Sequence, residues 1–182
     1  MSYLKENLNP TNLGILLSLF TGIHLGELCA LKWSDFCLDG QEFQVFKTMQ
    51  RLPNQDRSSK DKGANRKTHI EIGAPKSPCS IRTIPLPEKL MGYLRSAYCR
   101  NAYILSGQKC QFVEARTMEN RFKAVLKRCG LQETKFHTLR HTFATRCVLL
   151  VFRLRRLPLL RKMLSVHYHS LNCFANIFAL KP

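Results

Sequence analysis

The sequence predicts an α+β domain, mostly helical, with a small antiparallel sheet in its middle. Three observations predict it. Apolar residues recur at helical spacing between residues 10 and 31 and again after residue 87. Strand-like alternation is confined to residues 42–87. Thr21-Gly22, the turn at residues 73–78 and Gly130 mark breaks between segments.

Asn9-Pro10 reads as a helix start, a capping side chain followed by Pro in the first turn. Leu13, Leu16, Leu17 and Phe20 follow at i, i+3, i+4 and i+7, one apolar face, and Thr21-Gly22 breaks the helix. A short second helix carries Leu25, Leu28, Cys29 and Leu31 and ends near Trp33 and Asp35. Three stretches then alternate like half-buried strands: residues 43–45, 68–72 and 81–84. Residues 50–67, with Arg51, Arg57, Lys60, Lys62, Arg66 and Lys67, read as a long exposed loop or hairpin tip, and residues 73–78 as the turn between the last two strands.

Helices return after Pro87. Leu90, Met91, Leu94 and Tyr98 mark one face, and Met118, Phe122, Val125, Leu126 and Cys129 another, closed by Gly130. A third helix is expected from about Thr138 through Phe143, Ala144 and Cys147. Residues 1–147 therefore read as one domain. Residues 148–182 read as a divergent basic tail that completes or replaces its end. That tail has no Asp or Glu, carries Arg153, Arg155, Arg156, Arg161, Lys162 and Lys181, lacks a clear amphipathic period and is interrupted by Pro158. It reads as sequence not selected to continue the preceding helix, as a reading-frame change would leave.

With 182 residues, 45% of them hydrophobic and 23% charged, the chain is long and apolar enough for a real core and is not a disordered tail. The net charge of +17, from 29 Lys and Arg against 12 Asp and Glu, favours a polyanionic partner, either nucleic acid or an acidic membrane surface. No apolar run reaches the roughly 18 residues that span a bilayer. Lys5, Glu6, Asn7 and Asn9 interrupt the first stretch, so no signal peptide is expected. The eight cysteines form no Cys-x-x-Cys pair, which argues against a zinc ribbon. They are expected to act as small buried hydrophobes in a reducing cytoplasm.

Two segments carry chemistry. Residues 21–35 read Thr-Gly-Ile-His-Leu-Gly-Glu-Leu-Cys-Ala-Leu-Lys-Trp-Ser-Asp, and residues 137–145 read His-Thr-Leu-Arg-His-Thr-Phe-Ala-Thr. Between them, Pro75-Lys76-Ser77 precedes Ser80-Ile81-Arg82-Thr83-Ile84-Pro85-Leu86. In this order the three resemble the first box, the hairpin lysine segment and the second box of the tyrosine recombinases, the phage integrase family. The resemblance covers about residues 5–147, and three boxes in register are far more specific than one.

The resemblance implies a catalytic-domain-like fold, double-stranded DNA as partner, other integrase protomers as possible companions, and neither metal nor cofactor. It implies a reaction in which a tyrosine attacks a phosphodiester, forms a 3′-phosphotyrosyl link, and yields to a 5′-hydroxyl of another strand. The residue types suit that chemistry. Arg140 would hold phosphate oxygens with its guanidinium fork. His137 would donate to the phosphate or shuttle a proton. Lys76 would protonate the leaving 5′-oxygen. Lys60, Lys62, Arg66, Lys67 and Arg82 are the candidate DNA-binding side chains. Read without the motif, Arg140 is a surface ion-pair partner, His137 a capping or core histidine, and Lys76 one solvated lysine among many. Glu27 reads as structural either way, orienting a nearby cation.

Two departures weigh against full activity. His24 replaces the family's first catalytic arginine, and a neutral imidazole offers one donor and no fork. After Arg140 the only tyrosine is Tyr168, several residues early for the nucleophile, while Phe174 stands near the expected place without a hydroxyl. Two readings of function follow: an integrase-type enzyme with impaired or lost strand transfer, or a non-catalytic DNA-binding remnant that occupies or modulates recombination sites. A membrane-surface role for the basic tail is disfavoured by its lack of hydrophobic period. The family's helical clamp domain has no counterpart ahead of residue 5, so DNA binding is expected to be weak and strongly salt-dependent.

Overall fold

The computed structural model describes residues 2–53, 68–75, 80–108 and 111–155. A short helix α1 (Ser2–Glu6) precedes α2 (Pro10–Thr21), whose start is capped as its sequence expects: the Asn9 side chain accepts from the Asn12 N–H at 2.9 Å. Leu13, Leu16 and Leu17 are fully buried, and Gly22 ends the helix at φ 65°, with its N–H donating to the Ser18 carbonyl. Helix α3 (Leu25–Ala30) follows at once and leads into a 3₁₀ turn at Trp33–Asp35.

The strands are antiparallel and divide into two pieces. One sheet orders β1 (Phe36–Cys37), β2 (Glu42–Val45) and β5 (Arg82–Pro85), with β2 in the centre. The other is a ribbon of β3 (Thr48–Pro53) and β4 (Thr68–Gly73), in register Met49 to Ile72 and Arg51 to Ile70. The ribbon corrects the reading of residues 50–67 as loop from its first residue: residues 50–53 are strand, and residues 54–67 lie outside the described residues. The two last strands, read as neighbours across a turn, belong to different sheets.

Helices α4 (Glu88–Ala97) and α5 (Ala115–Arg128) bury Leu90, Met91 and Leu94, and Met118, Phe122 and Val125. Tyr98 is not on the α4 face but caps its end, edge-on to Trp33. Phe36 stacks on Phe43 at 5.0 Å and meets Trp33 at a tilt at 5.3 Å, which joins the 3₁₀ turn to the sheet. Residues 102–104 return beside Leu31 and Trp33 through backbone hydrogen bonds, which buries Ile104 and Leu105 in the same core.

Helix α6 (Thr138–Arg155) packs along α2. It runs eight residues past Cys147, so the composition change there does not end the helix. Leu, Val, Phe and Arg at these positions are compatible with helical backbone, and Val148 and Leu149 face solvent. The cysteine expectation also needs correction. Cys29 and Cys147 are buried, but Cys37 and Cys99 are exposed and Cys129 is half-buried. Among the described residues no helix is long and apolar enough to cross a membrane.

Candidate active site

The first box folds as a turn between two helices. Gly22 takes the left-handed conformation that lets α2 stop and α3 begin three residues later. His24 is the extended residue at the start of α3, and its backbone N–H donates to Glu27 Oε2 at 3.0 Å. Gly26 is glycine for a packing reason. A Cβ there would press on the Met49 carbonyl and the Thr48 hydroxyl of β3, each at 2.8 Å.

The second box enters from the far end of the chain. His137 precedes α6, and Arg140 lies in its first turn. Arg140 Nη1 donates to the Gly22 carbonyl at 2.6 Å. The His24 and His137 rings are stacked 5.9 Å apart at 14°, and His141 meets His137 edge-on at 4.5 Å. The Phe143 ring lies against Gly22, where a Cβ would collide with it. His24, His137 and Arg140 thus line one open cleft of about 290 Å³, together with Gly26, Glu119 and Lys135.

Electrostatics follow from this packing. Partial burial pushes the His24 pKa below its ordinary value, and Arg140, Arg82 and His137 push the same way against the pull of Glu27. His24 is therefore a neutral imidazole near neutral pH. Glu27 is buried, and burial alone would raise its pKa. Hydrogen bonds from Arg82 and from the His24 N–H outweigh that and hold the carboxyl below its ordinary value.

Arg82 was expected among the DNA-contacting residues. Its guanidinium forms a two-pronged pair with Glu27 at 2.8 and 2.9 Å and also donates to the Ser80 carbonyl. About a third of its side chain remains exposed. The cation oriented by Glu27 is thus Arg82, 55 residues further along the chain. Lys76, Tyr168, Lys60, Lys62, Arg66 and Lys67 lie outside the described residues. Sequence reasoning missed Lys135 and Glu119, which share the cleft. Lys135 had one available indication, its place two residues before His137; Glu119 had only its position on one face of α5. Among the described residues, no group of three or more His, Cys, Asp or Glu side chains is arranged to hold a metal ion.

Comparison with known proteins bears on the family and the fold. The family described as "Phage integrase family" matches residues 2–155. A "Tyrosine recombinase XerC-like" protein of Caldanaerobacter subterraneus subsp. tengcongensis is 32% identical over 148 residues, covering 72% of this chain and 37% of that protein. Among solved structures, the Tn1549 transposon integrase in complex with a circular intermediate DNA superposes with a TM-score of 0.57 at 18% identity, over 100% of this chain and 54% of the other. XerA recombinase superposes at 0.54 and 20% identity, over 99% and 55%. The chain spans little more than a third of the XerC-like relative and about half of these structures.

Proposed function

The chain belongs to the phage integrase family, and from that premise we propose that it is a tyrosine-recombinase-type strand-transfer domain acting on double-stranded DNA, with its chemistry impaired or lost. The observation that carries the reading is the convergence of His24, His137 and Arg140 on one cleft from segments more than a hundred residues apart.

In this reading a DNA phosphodiester sits in the cleft. Arg140 spends one nitrogen on the Gly22 carbonyl, which fixes the fork and leaves its remaining N–H groups for phosphate oxygens. His137 donates to a non-bridging oxygen or passes a proton. A tyrosine hydroxyl passes its proton to His137, its oxygen attacks phosphorus, and the bond to the 5′-oxygen breaks as that oxygen takes a proton from Lys76. Tyr168 is the candidate for the attacking phenol. A 5′-hydroxyl of another strand reverses the step and frees the tyrosine.

His24 weakens this design. A neutral imidazole cannot supply the bidentate charge-assisted contact, and losing one such contact costs about 2.7–4 kcal/mol in the transition state, roughly 10²–10³ in rate. The same substitution favours the second reading, a non-catalytic DNA-binding remnant acting alone or beside intact integrase protomers. A suicide DNA substrate, which traps the phosphotyrosyl link, tests the choice. The expected result is duplex binding with little or no covalent adduct. Ready adduct formation would overturn the impaired reading, and absence of duplex binding would overturn both.

A further inference from the structure

We propose that Lys135 is a phosphate-binding residue of this cleft, supplying the permanent positive charge that residue 24 no longer provides. The inference rests on the reading of the cleft as a phosphodiester site.

Lys135 lies on the segment between α5 and α6 and lines the same cleft as His24, His137 and Arg140. Its side chain is exposed. Among the described residues it makes no ion pair. The nearest acid along that segment, Glu133, is taken by Lys123 at 2.6 Å. The acid that does share the cleft is Glu119, which also faces Lys123 one helical turn along α5. Glu27 is committed to Arg82. The cleft therefore holds one anchored guanidinium, Arg140, two imidazoles, of which His24 is held neutral, and one ammonium with no assigned counter-charge.

A phosphodiester presents two non-bridging oxygens. Arg140 is fixed by the Gly22 carbonyl and covers one side. An ammonium on a four-carbon stem is a compact point charge with three rotatable donors, so it does not need the fork geometry that residue 24 has lost. Placed two residues before His137, it enters the cleft from the same segment as the imidazole that would donate to the phosphate.

The test uses the full chain and inorganic phosphate, with the ring protons of His24 and His137 followed by NMR. Lys135→Met should weaken phosphate binding about tenfold, the scale of one charge-assisted contact. Lys135→Arg should keep it within about twofold of the unmodified chain, because the charge is retained. Lys127→Met, an exposed lysine on α5 away from this cleft, should change nothing. Adding His24→Arg to Lys135→Met should recover the lost affinity, since both cations serve one anion. Equal phosphate affinity in Lys135→Met and the unmodified chain overturns the inference, as does absence of phosphate binding by the unmodified chain. Duplex binding by the same proteins is read in parallel. Lys135-dependent phosphate binding with no duplex binding would remove the DNA reading and leave the anion site standing.

Discussion

Glu27 and Arg82 meet through both oxygens and both terminal nitrogens, Nη1 to Oε1 at 2.9 Å and Nη2 to Oε2 at 2.8 Å. The carboxylate also holds the His24 N–H. One buried acid therefore ties the sheet to the turn that carries residue 24. Arg82→Met would leave that carboxylate buried without its counter-charge and is expected to cost about 3 kcal/mol, the low end for such a loss because Arg82 is partly exposed. Glu27→Gln, which keeps one acceptor, should cost less. Urea midpoints for the two variants check the order, and equal or negligible losses would show that the pair contributes nothing to stability.

The depressed pKa of His24 links proton uptake to folding. Its folded value lies below the ordinary 6.5, so between the two values the unfolded chain binds the extra proton. Stability is then full above about pH 6.5 and falls as pH drops through that window. His24→Gln should lose less stability than the unmodified chain between about pH 7.5 and 5.5. Identical losses in the two proteins would assign the effect to other histidines.

Bound phosphate should act on the same group in the opposite sense. An anion beside His24 favours the imidazolium, so duplex binding should strengthen as pH falls below about 6.5 and carry net proton uptake. Calorimetry in buffers of different ionisation enthalpy measures the uptake, and its persistence in His24→Gln would exclude His24 as the source.

Gly22→Ala strains two things at once. The left-handed φ of 65° costs a side-chain residue about 1–2 kcal/mol, and the new methyl would strike the Phe143 ring. Loss of thermal stability should be accompanied by displacement of α6 and disruption of the His24–His137 stack, visible as changed imidazole shifts. A stable variant with unchanged shifts would mean that the turn tolerates another route.

DNA affinity should be chiefly electrostatic. Raising salt from about 50 to 200 mM is expected to lower duplex affinity about a hundredfold for roughly four phosphate contacts. Salt-insensitive binding would point to a different interface.

Restoring the fork alone should not restore cleavage. His24→Arg repairs transition-state charge but adds no phenol, so a covalent adduct in this variant would identify Tyr168 as nucleophile only if Tyr168→Phe abolishes it.

Much of the helical frame was legible because its cause is local. Leu13, Leu16 and Leu17 of α2, and Met118, Phe122 and Val125 of α5, declare their buried face by spacing alone. The site turn was legible for a similar reason, since Gly22, Glu27 and the His-x-x-Arg pair carry their geometry in short motifs. What stayed hidden depends on partners distant in sequence. Thr48–Pro53 leaves Arg51 and Pro53 exposed, and only pairing with β4 makes it a strand. Arg82 looks like a free surface cation until Glu27, 55 residues away, is brought to it. Cys37 and Cys99 sit among apolar neighbours in sequence yet face outward, because the strand of the first and the turn containing the second expose them.

The hydrogen bond from Arg140 to the Gly22 carbonyl spans 118 residues of chain. Contacts of such separation close large loops, and their entropy must be met before they stabilise anything. As the polypeptide leaves the ribosome, α2 and α3 can take shape early, but the half-cleft they offer has no guanidinium and no His137. It becomes whole only after the residues near 140 have emerged and α6 has docked on α2. A nascent chain halted before that point would carry the first box without its guanidinium and its second imidazole.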